Sequence, residues 1–201
     1  MKYKEFKNIS IVNASGVSKV GKDTLALARC AGQLFGGKVL DMGTGTGFVA
    51  IYLAKLGKQV DASDISLTSV LLVKKMVRIN KVNVKAFQSD LFQNVRKKYT
   101  IITFNPPIGT SSSPQLAVLI EKIKSFFPKS DFLSHVALMF LGNQRKSIIK
   151  KFLSDAKQVL DTNGEIAIIL TSDEKALLKS FNYSYSFFNE NGVSIAILKK
   201  K

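Results

Sequence analysis

The sequence predicts an α/β protein: a mostly parallel, seven-stranded sheet with helices on both faces and an antiparallel hairpin at the C-terminal end. Three observations carry that expectation. From Lys38 onward, short apolar runs alternate with stretches of helical spacing. A glycine-rich turn, Gly43 to Gly47, joins the first such run to a helix. Near the C-terminus two further runs flank Asn189-Glu190-Asn191-Gly192, a hairpin signal.

Taken in order, residues 1–20 carry little pattern. Asp23 or Thr24 can cap a helix through Leu25-Ala26-Leu27-Ala28 that ends before Gly36-Gly37. Lys38-Val39-Leu40-Asp41 is the first strand. Phe48 to Lys55 is a helix closed by Gly57. Gln59 to Ser63 is the second strand, ending at Asp64, and Ser66 caps a helix bearing Leu67, Val70, Leu71 and Val77. Val84 to Gln88 is the third strand, ending at Asp90. Tyr99 to Phe104 is the fourth, apolar on both faces as buried parallel strands are. Leu116 to Phe127 reads as a helix stopped by Pro128. Segment 129–144 holds Val136 to Leu141, which suits a strand or a buried helix equally. Ser147 to Leu160 is an amphipathic helix, Asn163-Gly164 a turn, and Glu165 to Leu170 the fifth strand. Tyr183 to Phe188 and Val193 to Leu198 form the hairpin. With no internal repeat and no linker, residues 1–201 read as a single domain, with a segment 1–37 ahead of a core 38–201.

Composition narrows the function. The 201 residues bury about 70% of their unfolded surface, so no disulfide or metal is needed to fold. One cysteine, Cys30, excludes a disulfide framework and a Cys-built zinc site. One histidine, His135, excludes a multi-His metal site, so no metal is expected. Cys30 falls among alanines and reads as packing; His135 reads as structural or surface. No apolar run reaches the ~18 residues of a membrane span. The charged start, Met1 to Lys7, lacks a signal-peptide core, so the expected location is the cytoplasm.

The 30 Lys+Arg exceed the 14 Asp+Glu by 16. Polyanions reward such a surface, yet only Arg29, Arg78, Arg96 and Arg145 are arginines, and arginine is favoured for bidentate phosphate contact. The basic clusters (Lys74-Lys75-Arg78, Arg96-Lys97-Lys98, Arg145-Lys146-Lys150-Lys151, Lys199-Lys200-Lys201) are scattered. Nucleic-acid footprint and lysine-rich composition both remain open. Phe181, Tyr183, Tyr185 and Phe187 alternate at period two, as one face of a strand does.

The most informative stretch is Asp41-Met42-Gly43-Thr44-Gly45-Thr46-Gly47, at the carboxyl end of the first strand. Doubly wound sheets bind ligands there. The third glycine of a dinucleotide fingerprint is replaced by Phe48, and no Walker A sequence exists. A carboxylate two residues before the first glycine repels phosphate but attracts a cation.

Asp41-x-Gly43-x-Gly45-x-Gly47 resembles the first motif of class I S-adenosylmethionine-dependent methyltransferases, and the likeness continues in order. Asp64, in Asp64-Ile65-Ser66, matches that family's acidic residue for the ribose hydroxyls; a carboxylate can accept from both hydroxyls of a diol. Asp90, in Ser89-Asp90-Leu91, matches the acidic residue near the adenine amino group. The resemblance implies a Rossmann-like fold and an S-adenosylmethionine site of Asp41, Gly43, Thr44, Gly45, Thr46, Gly47, Asp64, Ile65, Asp90 and Leu91, with Asn105 at its edge. It also implies that 1–37 lies on the substrate side of the catalytic core 38–201.

Asn105-Pro106-Pro107-Ile108, at the end of the fourth strand, resembles the N-P-P-[Y/F] motif of amino methyltransferases. Their targets are planar nitrogens whose lone pairs are delocalised. The Asn105 side-chain oxygen and the Pro106 carbonyl can accept the two N–H bonds of such a group and aim it at the sulfonium methyl. The prolines hold those acceptors rigid. No general base is required, since the proton becomes acidic as transfer proceeds. Ile108 stands where an aromatic usually stacks, which argues against a flipped adenine.

Two branches of the family fit. Val20-Gly21-Lys22-Asp23-Thr24-Leu25, Phe104 to Pro107 with Thr110, and Gly142 ahead of a helix resemble HemK-type protein-glutamine methyltransferases. The ~38 residues before the first strand match the compact archaeal and eukaryotic form, whose members often need a small activating subunit. Ser89-Asp90-Leu91, Lys98-Tyr99, Asn105 to Ile108 and Asn163-Gly164-Glu165-Ile166 resemble compact rRNA guanine-N2 enzymes. The resemblance therefore implies a methyltransferase acting on a protein glutamine of the release-factor type, or alternatively on a guanine or adenine amino group of structured rRNA or tRNA. A non-catalytic methyltransferase-like subunit is the third reading, opposed by Asn105 and the three carboxylates.

Overall fold

Strand β1 (Lys38–Met42) lies at the middle of a seven-stranded sheet, parallel to β2 (Gln59–Asp64) on one side and β4 (Tyr99–Phe104) on the other. The computed structural model describes residues 8–12, 17, 19–107 and 131–201, with side chains from 143 onward in the last stretch. The full order is β3-β2-β1-β4-β5-β7-β6, where β3 is Val84–Gln88, β5 Leu160–Ile169, β6 Tyr183–Glu190 and β7 Val193–Lys200. Strands β3 to β5 are parallel, and β7 runs antiparallel to both β5 and β6. The chain reverses its winding between β1 and β4, so loops from opposite sides part there and leave a crevice at the carboxyl ends. The seven strands and the terminal hairpin match the expected architecture. Its turn is Asn191-Gly192, both at positive φ (50° and 76°), the geometry a two-residue hairpin needs.

Period-two alternation sends successive side chains to opposite faces. One face carries Val39, Val60, Ala62, Ile101 and Ala167 against α1 (Lys22–Gln33), α2 (Phe48–Lys55) and α3 (Leu67–Asn80). Cys30 is buried there, as a packing residue would be. The other face carries Leu40, Met42, Ile102, Phe104, Ile166 and Ile168 against Ile149, Phe152, Leu153 and Ala156 of α4 (Asp131–Val159). Phe152 stacks on Phe104 with ring centroids 4.5 Å apart and meets Phe92 at 5.2 Å. Tyr183, the first residue of β6, is buried, and its hydroxyl donates to the Leu153 carbonyl at 3.0 Å.

Several expectations change in detail. Segment 131–144 joins Ser147 onward in one 29-residue helix, so Val136–Leu141 is helical rather than a strand. That helix stops at Val159, and Leu160 already pairs with Tyr99. The Asn163-Gly164 turn survives as an irregularity inside β5: the register passes from Tyr99↔Leu160 to Ile101↔Glu165, so Asp161 to Gly164 bulge out of the ladder. Neither Asp23 nor Thr24 caps α1; its N-cap is Gly21, and Asp23 lies in the first turn. Ser66 does cap α3, accepting from the Ser69 amide at 3.4 Å. A short 3₁₀ turn, Lys175–Ser180, precedes the hairpin without any sequence signal. The expected helix Leu116–Phe127, Ile108, Thr110 and the side chain of His135 lie outside the described residues.

The N-terminal stretch, weakly patterned in sequence, docks on α3. Asn80 accepts from the Ser10 amide at 2.8 Å and donates to the Ser10 carbonyl at 2.8 Å and to the Met76 carbonyl at 2.9 Å. Ile9 and Ile11 pack on Ile51, Leu72 and Met76. Among the described residues no helix is long and apolar enough to cross a membrane.

Because Phe152 is fully buried and stacks α4 on the ring of Phe104 beside the crevice, truncation should be severe. Phe152→Ala is expected to cost roughly 3–5 kcal/mol in urea unfolding. A loss below about 1 kcal/mol would show that α4 is not packed on β4.

Candidate active site

Four adjacent strands, β3, β2, β1 and β4, deliver their carboxyl ends to one edge of the sheet. At ~4.8 Å per strand that edge spans roughly 14 Å, enough for an elongated ligand. Asp41 lies next to last in β1, level with Thr103 of β4 and Ala62 of β2. Its carboxylate accepts the Thr44 hydroxyl at 2.7 Å on one oxygen and the Thr103 hydroxyl at 2.7 Å on the other. Only 3% of Asp41 is exposed, and burial pushes its carboxyl up to about 6 against the opposing pull of those hydrogen bonds. Thr103 contradicts the expectation of a strand apolar on both faces; its hydroxyl is buried because Asp41 needs it. A threonine in the predicted strand, at the position level with Asp41, was the signal that could have found it.

The turn that follows is stitched to β2. Thr44 donates its amide to the Ser63 carbonyl at 3.0 Å, and Gly45 donates to Asp64 Oδ2 at 2.9 Å. Asp64 Oδ1 accepts the Ser66 amide at 2.9 Å. Gly47 opens α2 at φ 81°, and a Cβ there would come within 3.0 Å of Val73. Gly43, at φ 63°, faces the Phe104 ring, which would lie 3.3 Å from an added Cβ. Both positions need glycine for conformation and for space. Thr46 is buried, whereas Ile65 stands 62% exposed beside Asp64.

Beyond β3, the Ser89 hydroxyl donates to the Leu91 carbonyl at 2.7 Å and accepts the Asn94 amide at 3.0 Å. This turn holds Leu91 at φ 44° and leaves Asp90 exposed, 4.0 Å from the Lys151 ammonium. Asn105, half-buried, and Pro106, buried, leave β4 directly opposite the Gly43 turn. The structure thus brings Asp41, the glycine turn, Asp64 and Asn105 to Pro107 to adjoining strand ends, with Asp90 at the outer strand.

Arg145 is the largest departure. The sequence placed it in a basic cluster, but it is 8% exposed. Its guanidinium donates to Glu174 Oε1 at 2.7 Å, to the Ile169 carbonyl at 3.2 Å and to the Pro106 carbonyl. Glu174 is itself buried, and its second oxygen accepts the Thr171 amide at 2.9 Å. No pattern in the sequence connects these two residues across 29 positions.

The donor set suits a cationic, hydroxyl-rich ligand, with carboxylates on three successive strand ends and a glycine turn where, among the described residues, an added Cβ on Gly45 would meet only Val17, at 3.8 Å. Among the described residues no group of three or more His, Cys, Asp and Glu could hold a metal. The methyltransferase small-domain model matches residues 8–129, a range that includes Ser10, the glycine turn and Asn105.

This chain belongs to that methyltransferase family.

A provisionally named protein N5-glutamine methyltransferase of Methanocaldococcus jannaschii is 30% identical over 84% of this chain and 79% of its own length. The tRNA1(Val) adenine-37 N6-methyltransferase of Trichodesmium erythraeum is 27% identical over 82% of this chain and 65% of its own. Against bacterial release factor glutamine methyltransferases the chain spans about half of their length or less. Among solved structures, the Thermus thermophilus 16S rRNA guanine-N2 methyltransferase, determined with AdoMet and guanosine, covers 95% of this chain and 45% of its own. It superposes at a TM-score of 0.64 with 20% identity, a likeness of fold. The protein is an S-adenosylmethionine-dependent methyltransferase on a Rossmann-like sheet.

The raised Asp41 value has a signed consequence. Its protonated form favours the fold below the unfolded value near 3.8, and that contribution is lost as pH rises through about 6. The ionised carboxylate is therefore a cost at neutral pH. Asp41→Asn is expected to melt no lower than the parent at pH 8, with the gain vanishing below pH 4. A variant clearly less stable at pH 8 would show that the ionised acid holds the fold together.

Proposed function

We propose that this methyltransferase modifies the side-chain amide nitrogen of a protein glutamine, of the release-factor type. The observation that carries the reading is Asn105-Pro106 at the end of β4, level with the glycine turn after β1. A relative named for glutamine is aligned over 84% of this chain and 79% of its own length, which supports the reading.

In this reading Asp41, Gly43, Thr44, Gly45, Thr46 and Gly47 hold the methionine end of the cofactor. Asp64 and Ile65 take the ribose; Asp90 and Leu91 take the adenine. Each Asp64 oxygen that receives a backbone amide keeps lone pairs for a hydroxyl. The cofactor supplies a methyl group on a cationic sulfur. Asn105 Oδ1 and the Pro106 carbonyl accept the two N–H bonds of the target amide, which turns its nitrogen toward that methyl. Pro107, half-buried directly after them, stands beside the flat face of the amide in this reading. The nitrogen–carbon bond forms as the carbon–sulfur bond breaks, and one N–H proton leaves to water. The segment 1–37 carries Val17 over the Gly45 turn, which suits a substrate-side wall.

The second reading, an RNA amino group, draws on a different surface. Tyr185 and Phe187 are exposed on edge strand β6, and the Lys175 ammonium lies 4.5 Å above the Phe187 ring. Aromatic rings flanked by lysines can stack bases. Ile108 weighs against an adenine and leaves a guanine open, and the glutamine-named relative weighs toward protein.

The test follows transfer of labelled methyl to an extract of cells lacking this protein. Asn105→Ala is expected to lower the saturating rate about 100-fold while the dissociation constant of S-adenosylmethionine stays within about threefold. Loss of cofactor affinity in proportion to rate would assign Asn105 to the cofactor instead. Asp41→Asn should show the opposite division: an intact fold with cofactor affinity lost at least tenfold or so, as removal of a buried charge partner predicts. Unchanged affinity would overturn its cofactor role.

A further inference from the structure

We infer that Arg145 and Glu174 are positioning residues for methyl transfer, acting through the Pro106 carbonyl; this rests on the reading of Asn105-Pro106 as the acceptor clamp. The Arg145 guanidinium spends each of its three nitrogens on a different element. Nε donates to Glu174 Oε1, Nη2 to the Ile169 carbonyl at the end of β5, and Nη1 to the Pro106 carbonyl after β4. The second Glu174 oxygen takes the Thr171 amide, so the pair also fixes the turn after β5. Pro106 thereby becomes part of a rigid plane that bridges two strand ends.

Stability alone does not call for this pair. Apolar side chains of the same volume commonly serve a buried site as well or better. What a planar guanidinium adds is direction, since its donors are fixed relative to one another in a way a lysine ammonium cannot reproduce. One lone pair of the Pro106 carbonyl is held by Arg145, which orients the other for an acceptor N–H. Glu174 has an electrostatic part as well. During transfer, positive charge moves onto the acceptor nitrogen, whose N–H bond Pro106 receives. An uncompensated guanidinium on the same carbonyl would oppose that charge. The Glu174 carboxylate at 2.7 Å cancels it.

The experiment uses the full chain and labelled S-adenosylmethionine, with initial rates over a dilution series of the extract. Arg145→Lys keeps the charge and loses the plane; Glu174→Gln keeps the volume and loses the compensation. Cofactor affinity and melting temperature are measured for each, and Asn105→Ala runs alongside. Both variants are expected to bind cofactor within about threefold of the parent, to half-saturate at a similar extract dilution, and to turn over roughly 10- to 100-fold more slowly. Where Arg145→Lys fails to fold, Glu174→Gln decides alone. A saturating rate within about twofold of the parent, or a rate loss matched by lost cofactor affinity, overturns the inference. If Asn105→Ala is slow while both variants are fast, only the positioning role falls. If Asn105→Ala is itself fast, the acceptor clamp falls and the inference with it.

Discussion

Two hydroxyls on one buried carboxylate tie the site together. Thr44 reaches Asp41 from the glycine turn and Thr103 reaches it from β4, each at 2.7 Å. Those bonds lock the turn after β1 against the strand that carries Asn105. Asp64 then extends the lock to β2 through the Gly45 amide. Everything argued about cofactor and acceptor depends on these three strand ends staying in register. The cost is a carboxylate held where burial disfavours its charge. A cationic ligand group beside it would offset that cost.

Much of this was legible in the sequence because it rests on local rules. The alternation of strand and helix, the Asn191-Gly192 turn, the Ser66 cap and the glycines at positive φ each follow from residue type and neighbours. The Gly43 to Gly47 turn, Asp64 and Asn105 could be placed because each ends a strand or follows directly on one. What escaped was non-local. Arg145 reads as one more cation among lysines until α4 is laid across the sheet and its side chain meets Glu174 and Pro106. Thr103 looks like a β-branched strand residue until β4 pairs with β1. The docking of Ser10 on Asn80 spans 70 residues and leaves no periodic trace. The Asn163-Gly164 pair signalled a turn, and the parallel ladder with β4 absorbed it as a bulge.

Charge is a poorer guide to substrate than the acceptor loop. The excess of 16 positive charges counts arginines and lysines alike. Yet Arg145 is buried with Glu174, and Arg29 pairs with Glu190 at 2.8 Å. Half of the arginines are thus engaged in ion pairs within the protein, and the exposed positive charge is mostly lysine on scattered surfaces. Such a surface attracts polyanions without shaping a site for one. The Asn105-Pro106 turn, by contrast, is held in one geometry: Pro106 is buried and its carbonyl accepts from Arg145.

The most direct measurement is the chemical nature of the labelled product. Extract from cells lacking the protein is methylated with labelled S-adenosylmethionine, then divided between nuclease and protease. The account predicts label released by protease, resistant to nuclease, and recovered after hydrolysis of the peptides as N5-methylglutamine. Label released by nuclease would contradict it and would make the lysine surface and the β6 aromatics part of the substrate site.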